Sequence, residues 1–383
     1  FVFEPSPITV CLPAIFIKKI KKIPICLWVL DLWPESVVSA SNLNTKFVPS
    51  LLNPLVKYIY NKSDKILVSS KGFIDSIKKR GISKNKIIYF PQWAEEIFKP
   101  LIPKQNLLEK IPNHSFKIMF AGNIGEAQDF PSIIETAKIL KNENIHWIIL
   151  GSGRKQKWVK KEIVKNKLTD KFHMLGSYPL DRMPEFYAQA DCMLFSLKRE
   201  YIFSITIPAK VQSYLACGKP VLAMIDGEAA SVIENSKAGL TCESQNPNKF
   251  AKNILKLSKL KKNELNELGN NAINFYNKEF ERKMLIDKLE NIYVAELGYG
   301  VSTSKNVPNI GPRISVLNKK GQVVQRIGHN GYGMNKGQFI APHGICLDSN
   351  LDIYVAEVAR TNISHFMEPP ESVRSFQKLK KVV

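Results

Sequence analysis

Along the chain, apolar residues fall into short runs separated by Gly, Pro and Lys clusters. Runs of this length, alternating with longer stretches of helical spacing, predict a strand–helix alternation with buried parallel strands. The expected strands are Phe1–Phe3, Ile23–Leu30, Ile66–Val68 and Lys86–Phe90, then Lys117–Ala121, His146–Leu150, Phe172–Leu175, Cys192–Ser196 and Val221–Ile225, with an edge strand at Leu240–Cys242. Helices are expected at Thr9–Ile20, Ser70–Arg80, Pro131–Leu140, Pro184–Ala190 and within Asn248–Tyr276. A proline-rich stretch from Pro91 through Pro100, Pro103 and Pro112 reads as a linker between two lobes.

The block Thr206–Leu240 organises the second lobe. Pro208 suits the first position of a helix, where a missing N–H costs nothing. Val211, Tyr214 and Leu215 continue at helical spacing, and Gly218 with Pro220 ends the helix. The strand that follows leads into Asp226-Gly227-Glu228, with Glu228 opening the next helix. A loop ending at a helix N-terminus, with Lys210 close by, suits a diphosphate, and the acceptor-rich turn one strand later suits polyol hydroxyls. The same layout also describes an α/β crossover that binds nothing.

Two further turns follow strand ends. Gly122-Asn123-Ile124-Gly125-Glu126-Ala127-Gln128 places two glycines ahead of a helix, where a phosphate or sugar can approach the backbone. Gly151-Ser152-Gly153 precedes Arg154, a candidate phosphate contact that is equally a solvated basic residue. In the first lobe, Asp31 opens the segment Asp31-Leu32-Trp33-Pro34-Glu35-Ser36 beyond a strand, the place where ligand-facing groups of open α/β sheets collect. Asp31 or Glu35 could as readily cap the next helix.

A chain of 383 residues has room for two domains and an appendage. Its 44% hydrophobic and 23% charged content is that of a globular protein. The net charge of +21 points to an anionic partner: a nucleotide diphosphate or an anionic membrane surface, with nucleic acid last because no such motif occurs. Six cysteines without close spacing fit a reduced, cytoplasmic setting, with a peripheral position at the inner face of a membrane as its extension. No leader is expected, nor a spanning segment, since Lys18, Lys19, Lys21 and Lys22 interrupt the best apolar run.

The character changes at Ile292. Ile292-Tyr293-Val294-Ala295-Glu296 recurs as Ile353-Tyr354-Val355-Ala356-Glu357, with short strands between: Ile314–Leu317, a turn at Lys320-Gly321, Val323–Ile327 and Gly344–Leu347. The pattern looks like NHL-type β-propeller repeats, and Val373–Leu379 resembles the last strand of propellers related to peptide-amidating lyases. There is material for fewer blades than such propellers close with. His343 precedes a glycine, as a metal-binding histidine of those lyases does. His329 and His365 are not at ligand spacing, so no metal site is expected.

Pro208-Ala209-Lys210, Gly218-Lys219-Pro220, Ser6-Pro7 and the Asp31–Ser36 segment together resemble GT-B glycosyltransferases of family 4. The likeness is strongest to the branch that builds O-antigen and capsule and includes N-acetyl-L-fucosamine transferases. It covers residues 1 to about 290, and implies metal-independent sugar transfer with retention of configuration. It assigns Asp31 to the acceptor hydroxyl and Lys210 to the leaving diphosphate. It assigns donor binding to Gly122, Asn123, Gly125, Gln128, Arg154, Gly176, Ser177, Tyr178, Thr206, Pro208, Asp226, Gly227 and Glu228, the backbone of Gly176–Tyr178 holding the base. The sequence departs from the wider family in two places. Paired glutamates would fall near Ile205 and Ser213, and a basic pair at Asn123 and Gln128. A Gly-rich front of the first lobe is also missing from the pattern.

The expected architecture is therefore α/β of the GT-B type, with two Rossmann-like lobes, the first incomplete, plus a short all-β NHL-repeat tail. The expected boundaries are 1–100, a linker at 101–115, 116–290 and 291–383. The expected function is sugar transfer from a nucleotide-diphosphate donor, UDP-linked before GDP-linked, to a lipid-linked or saccharide acceptor, with no cofactor. The rival reading is an inactive transferase fragment joined to a propeller fragment, acting as a scaffold. A lyase carried by the tail ranks below both.

Overall fold

The computed structural model describes residues 1–40, 47–103, 105–287, 292–297, 311–318, 321–328, 333–335, 337–347, 353–358 and 375–379. The turn residue Lys320, His329, His365 and the start of the closing strand at Val373 lie outside the described residues. Packing divides the chain into two units, Phe1–Pro91 with Arg282–Val383, and Gln92–Glu281.

The second unit is an open parallel sheet of six strands: β5 (Phe116–Ala121), β6 (Ile145–Leu150), β7 (Phe172–Gly176), β8 (Cys192–Ser196), β9 (Val221–Met224) and β10 (Gly239–Cys242). Their spatial order is β10-β9-β8-β5-β6-β7, every pair parallel. Period-2 alternation sorts each strand between two cores. Met119, Ile148, Met193 and Ala223 face one layer of helices with Tyr187, Val211, Tyr214 and Ile233. Ile118, Phe120, Trp147 and Leu222 face the other, with Phe130, Ile133, Val159 and Phe250. Both faces are covered, which is why these strands read as continuous apolar runs. Phe98, Leu108 and Ile111, from the proline-rich stretch, are buried in the first of these cores.

The first unit holds a four-stranded parallel sheet in the order β1 (Val2–Glu4), β2 (Cys26–Val29), β3 (Lys65–Val68) and β4 (Ile87–Tyr89). The strand expected over Ile23–Leu30 is shorter than its apolar run. The helix before it ends at Lys21, with Lys22 in the left-handed conformation (φ 54°), so the chain needs the next residues to turn back toward the sheet. The tail, in the same unit, forms two three-stranded antiparallel sheets. One is β11 (Ile292–Glu296), β12 (Arg313–Leu317) and β13 (Val323–Ile327), and the other β14 (Pro342–Leu347), β15 (Ile353–Glu357) and β16 (Phe376–Leu379). Propeller blades have four strands; among the described residues neither sheet does. The recurring segment is an edge strand in the first sheet (β11) and the central strand in the second (β15).

Candidate functional site

Four loops leave the carboxyl ends of β5, β6, β7 and β9 in the second unit, and backbone hydrogen bonds join the first three. Gly122 N donates to Leu150 O (2.9 Å), Ile124 N to Ser152 O (2.8 Å), Lys155 N to Ile124 O (3.0 Å) and Gly151 N to Gly176 O (2.7 Å). Gly151 has φ 125°, and a Cβ there would fall 1.9 Å from Gly122 O, so the two loops approach as only a glycine permits. Glu126 adds an ion pair to Lys155 (2.6 Å) and another to Lys198, beyond β8. Those two ammonium groups hold its carboxyl below the usual glutamate range.

The helix Ala209–Ala216 docks against this platform. Tyr214 Oη accepts from Ala121 N (3.3 Å) and donates to Ala121 O (3.2 Å), fixing the helix to the end of β5. Lys210, one turn earlier on the same face, therefore reaches the start of the Gly122 loop. Its Nζ stands over the rings of Phe120 (4.7 Å) and Phe195 (5.7 Å). A Cβ on Gly122 would lie 2.9 Å from that nitrogen. Among the described residues no carboxylate pairs with Lys210. Burial pushes its pKa down to about 8. Pro208 is the N-cap rather than the first helical residue, because its ψ of 141° is extended and Ala209 opens the helix.

The other expected residues divide by what holds them. Gln128 Oε1 accepts from Gly125 N (3.0 Å), and the Asn123 amide lies so close to Gly125 that a Cβ there would meet it at 2.5 Å. Both amides thus shape the loop that contains them. Ser177 Oγ donates to Ser152 Oγ (3.1 Å), and the Tyr178 ring packs on Phe186 (4.4 Å). Thr206 Oγ1 donates to Ile202 O (2.7 Å). Asp226 is clasped: Oδ2 accepts from Arg199 Nε (3.2 Å) and Oδ1 from Ser244 N (3.1 Å). Gly227, with φ 80°, packs its backbone on Ser204, where a Cβ would meet the carbonyl oxygen at 1.9 Å. Glu228 opens the next helix, as its position predicts. Arg154 is exposed.

Asp31 belongs to the first unit, at the carboxyl end of β2. Beside it lies Glu4, fully buried, its carboxylate oxygens without a well-formed hydrogen bond among the described residues. Burial raises the Glu4 pKa well above the usual carboxylate range, and the Asp31 charge adds to the shift. Glu35 is structural: its oxygens accept from Arg80 Nη2 (2.7 and 2.8 Å) and Ser76 Oγ (2.8 Å). Trp33 Nε1 donates to Ser6 Oγ (3.2 Å), joining the two first-unit segments that carry the family likeness. Glu4, Lys198 and Arg199 escape sequence reading, as do the roles, though not the elements, of Glu126 and Tyr214. Burial of Glu4 and the partners of the others depend on strand order, which no local spacing reveals. His343 is partly buried, and no group of three His, Cys, Asp or Glu able to hold a metal occurs among the described residues.

Residues 104–275 match the family model described as Glycosyl transferases group 1. A probable glycosyltransferase of Pseudomonas aeruginosa, WbjE, is 26% identical over 63% of this chain and 62% of its own length. WcaI of Escherichia coli, a glycosyl transferase named for colanic acid biosynthesis, is 28% identical over 47% of this chain and 44% of its own length. The chain thus spans about half to three-fifths of these curated relatives. Among solved structures, HepE of Anabaena in complex with UDP superposes with a TM-score of 0.60 at 13% identity, over 74% of this chain and 75% of that one. A glycosyltransferase of Rickettsia africae gives 0.57 at 17% identity, over 74% and 80%. The residues around Lys210 and the Gly122 loop lie in the matched segment, so residues 104–275 are similar to the glycosyl transferases group 1 family, and the chain has the α/β GT-B fold.

Proposed function

We propose that this chain transfers a sugar from a nucleoside diphosphate donor, UDP-linked, to a lipid-linked or saccharide acceptor in surface polysaccharide synthesis. One observation carries the reading: the ammonium of Lys210, with no carboxylate partner among the described residues, stands at the mouth of a glycine-rich loop platform. A diphosphate placed there would gain a charge-assisted contact from Lys210 and backbone donors from the Gly122 loop. Lys210 then stabilises the leaving diphosphate, and Asp31 receives the acceptor's hydroxyl proton. Gly176–Tyr178 is the base-binding turn, and the Asp226–Glu228 turn faces the donor, with Asp226 held in place by Arg199 and Ser244. The polysaccharide setting is supported by the WcaI name, which includes colanic acid, and the UDP-linked donor by HepE, of like fold, which was crystallised with UDP. The recurrence of β11 as β15 is read as two partial copies of an NHL-like repeat.

A scaffold role is favoured by one feature, the neutral Asn123, Gln128, Ile205 and Ser213 where the wider family pattern has charge. Calorimetry with UDP and GDP on the wild type and Lys210→Ala decides the first step. Micromolar UDP binding that weakens about tenfold or more in the variant is expected from the loss of one charge-assisted contact. Absence of binding by folded protein sinks the transferase reading and leaves the scaffold. UDP binding without turnover on any lipid-linked acceptor also favours the scaffold.

A further inference from the structure

A polar groove of about 300 Å³ lies at the end of the second unit's sheet opposite to the loop platform. Asp191 enters it just before β8, and Lys219 with Pro220 just before β9, so it opens at the amino ends of these strands. Its other wall is the helix Lys262–Glu279. There Lys262, Asn266 and Asn270 recur every four residues, one above another on the helix surface. Two glycines set the floor. A Cβ on Gly269 would meet Gly218 O at 2.4 Å, so this helix runs against the Gly218 backbone with no side chain between them. Lys210 lies at the far end of the helix Ala209–Ala216, roughly 12 Å along its axis from Gly218. The groove is thus separate from the donor platform.

Charge and hydrogen-bonding capacity say what the groove suits. Lys219 is partly buried, and its Nζ donates to Ala188 O (3.1 Å) near the end of the helix Met183–Gln189. Two of its N–H groups remain. Burial, with the nearby charge of Lys262, pushes its pKa down to about 8. Among the described residues no carboxylate pairs with Lys219 or Lys262. A hollow of about 160 Å³ adjoins the groove across Lys219 and adds Lys99. Asp191 is the acid of the lining. Its Oδ2 accepts from Lys117 N (2.8 Å), and its other oxygen remains for a hydroxyl. A bare anion would satisfy the ammonium groups and meet only repulsion from Asp191. A phosphate that carries a polyol satisfies both, because its hydroxyls donate to Asp191 and pair with the two amides. The volume is at the lower end for small-ligand sites, which fits one sugar ring with its phosphate.

We propose that this groove binds a sugar phosphate of hexose size, with the phosphate on Lys219 and Lys262 and the hydroxyls on Asp191, Asn266 and Asn270. The proposal stands apart from the transferase reading, because binding here needs neither donor nor turnover. The test is calorimetry on the full chain with glucose 1-phosphate and glucose 6-phosphate as probes, and with inorganic phosphate and glucose as their halves. At least one sugar phosphate is expected to bind about tenfold or more tighter than either half, since each half makes only part of the contacts. Saturating UDP and the Lys210→Ala variant should leave that binding in place. Lys262→Glu, at an exposed position, should weaken it about tenfold or more by exchanging attraction for repulsion. Asn270→Ala, also exposed, should narrow the advantage over inorganic phosphate. Lys219→Gln should act as Lys262→Glu does. Its side chain also holds Ala188 O, so the exposed Lys262→Glu variant decides the matter if Lys219→Gln fails to fold. Binding of neither sugar phosphate, displacement by UDP, or no response to Lys262→Glu overturns the proposal. So does equal affinity for inorganic phosphate, which would mean an adventitious ion only.

Discussion

Lys210 Nζ and the backbone of Gly122 stand so close that a single added methyl carbon would lie 2.9 Å from the ammonium. The contact joins the first turn of one helix to the end of a strand almost ninety positions earlier, and Tyr214 keeps it in place through both backbone groups of Ala121. Gly122→Ala should therefore act on ligand rather than on fold alone. Its Cβ pushes the lysine away, at a backbone φ of 137° that alanine tolerates poorly. We expect UDP affinity to fall about as much as in Lys210→Ala, and the double variant to be little worse than either single one. Fully additive losses in a calorimetric cycle would show that the two residues act separately.

The lowered pKa of Lys210, about 8, gives nucleotide binding a pH dependence. Below that value the lysine is charged and attracts diphosphate; above it the attraction is lost. UDP affinity should decline as pH rises through about 8 and beyond, and the decline should be absent in Lys210→Ala. Stability moves the other way. Between about 8 and the ordinary lysine value of 10.5 the unfolded chain holds the proton more firmly, so raising the pH across this window relieves a cost of folding. Parallel titrations of affinity and of urea midpoint separate the two effects.

An acid-sensitive pair sits on neighbouring strands. His146 Nδ1 and His173 Nε2 are 2.9 Å apart with their rings stacked. Burial lowers the His146 pKa to about 4, helped by His173 and Lys171. As pH falls below the ordinary histidine value of 6.5, the unfolded chain takes a proton that the folded one refuses, so stability drops until about pH 4, where the folded state protonates too. His146→Leu should flatten this part of the curve. An unchanged slope in urea midpoint between these limits would rule the pair out as its source.

Glu35 and Arg80 form a two-pronged pair with Ser76, and their side chains are only 20% and 13% exposed. Glu35→Ala leaves the guanidinium partly buried and unpaired, which should cost about 2–3 kcal/mol. The loss should be smaller when Arg80→Met is present as well, because no lone charge then remains. Equal losses in single and double variants, read by chemical denaturation, would contradict this account.

Gly151→Ala tests the platform directly. The new Cβ would overlap the Gly122 carbonyl, at 1.9 Å, on a backbone φ of 125°. Overpacking and strain together should cost about 2–4 kcal/mol. A midpoint shift near zero would mean that the loops can separate.

The strand–helix alternation, the edge position of β10 and the turn at Gly218 were legible because each depends on local pattern: a run length, a terminal strand, a residue suited to positive φ (65°). Lys210 was legible for the same reason, lying next to a proline at a helix start. The clasp on Asp226 was not, since Arg199 and Ser244 reach it only once β8, β9 and β10 are neighbours. Nor could spacing show that Glu35 serves the fold while Glu4 is buried beside Asp31. The tail adds a further case. Its repeat is real in sequence, but a repeat names strands without fixing their place, and β11 and β15 occupy different positions in their sheets.

The backbone bonds among the Gly122, Gly151 and Gly176 loops, with Glu126 gripped from two sides, make three strand ends into one body. An incoming ligand would meet a surface assembled beforehand and would lose little affinity to ordering it. Selectivity in such a mould comes from shape that is already set, so ligands of the wrong outline are refused at the first encounter instead of being accommodated and released.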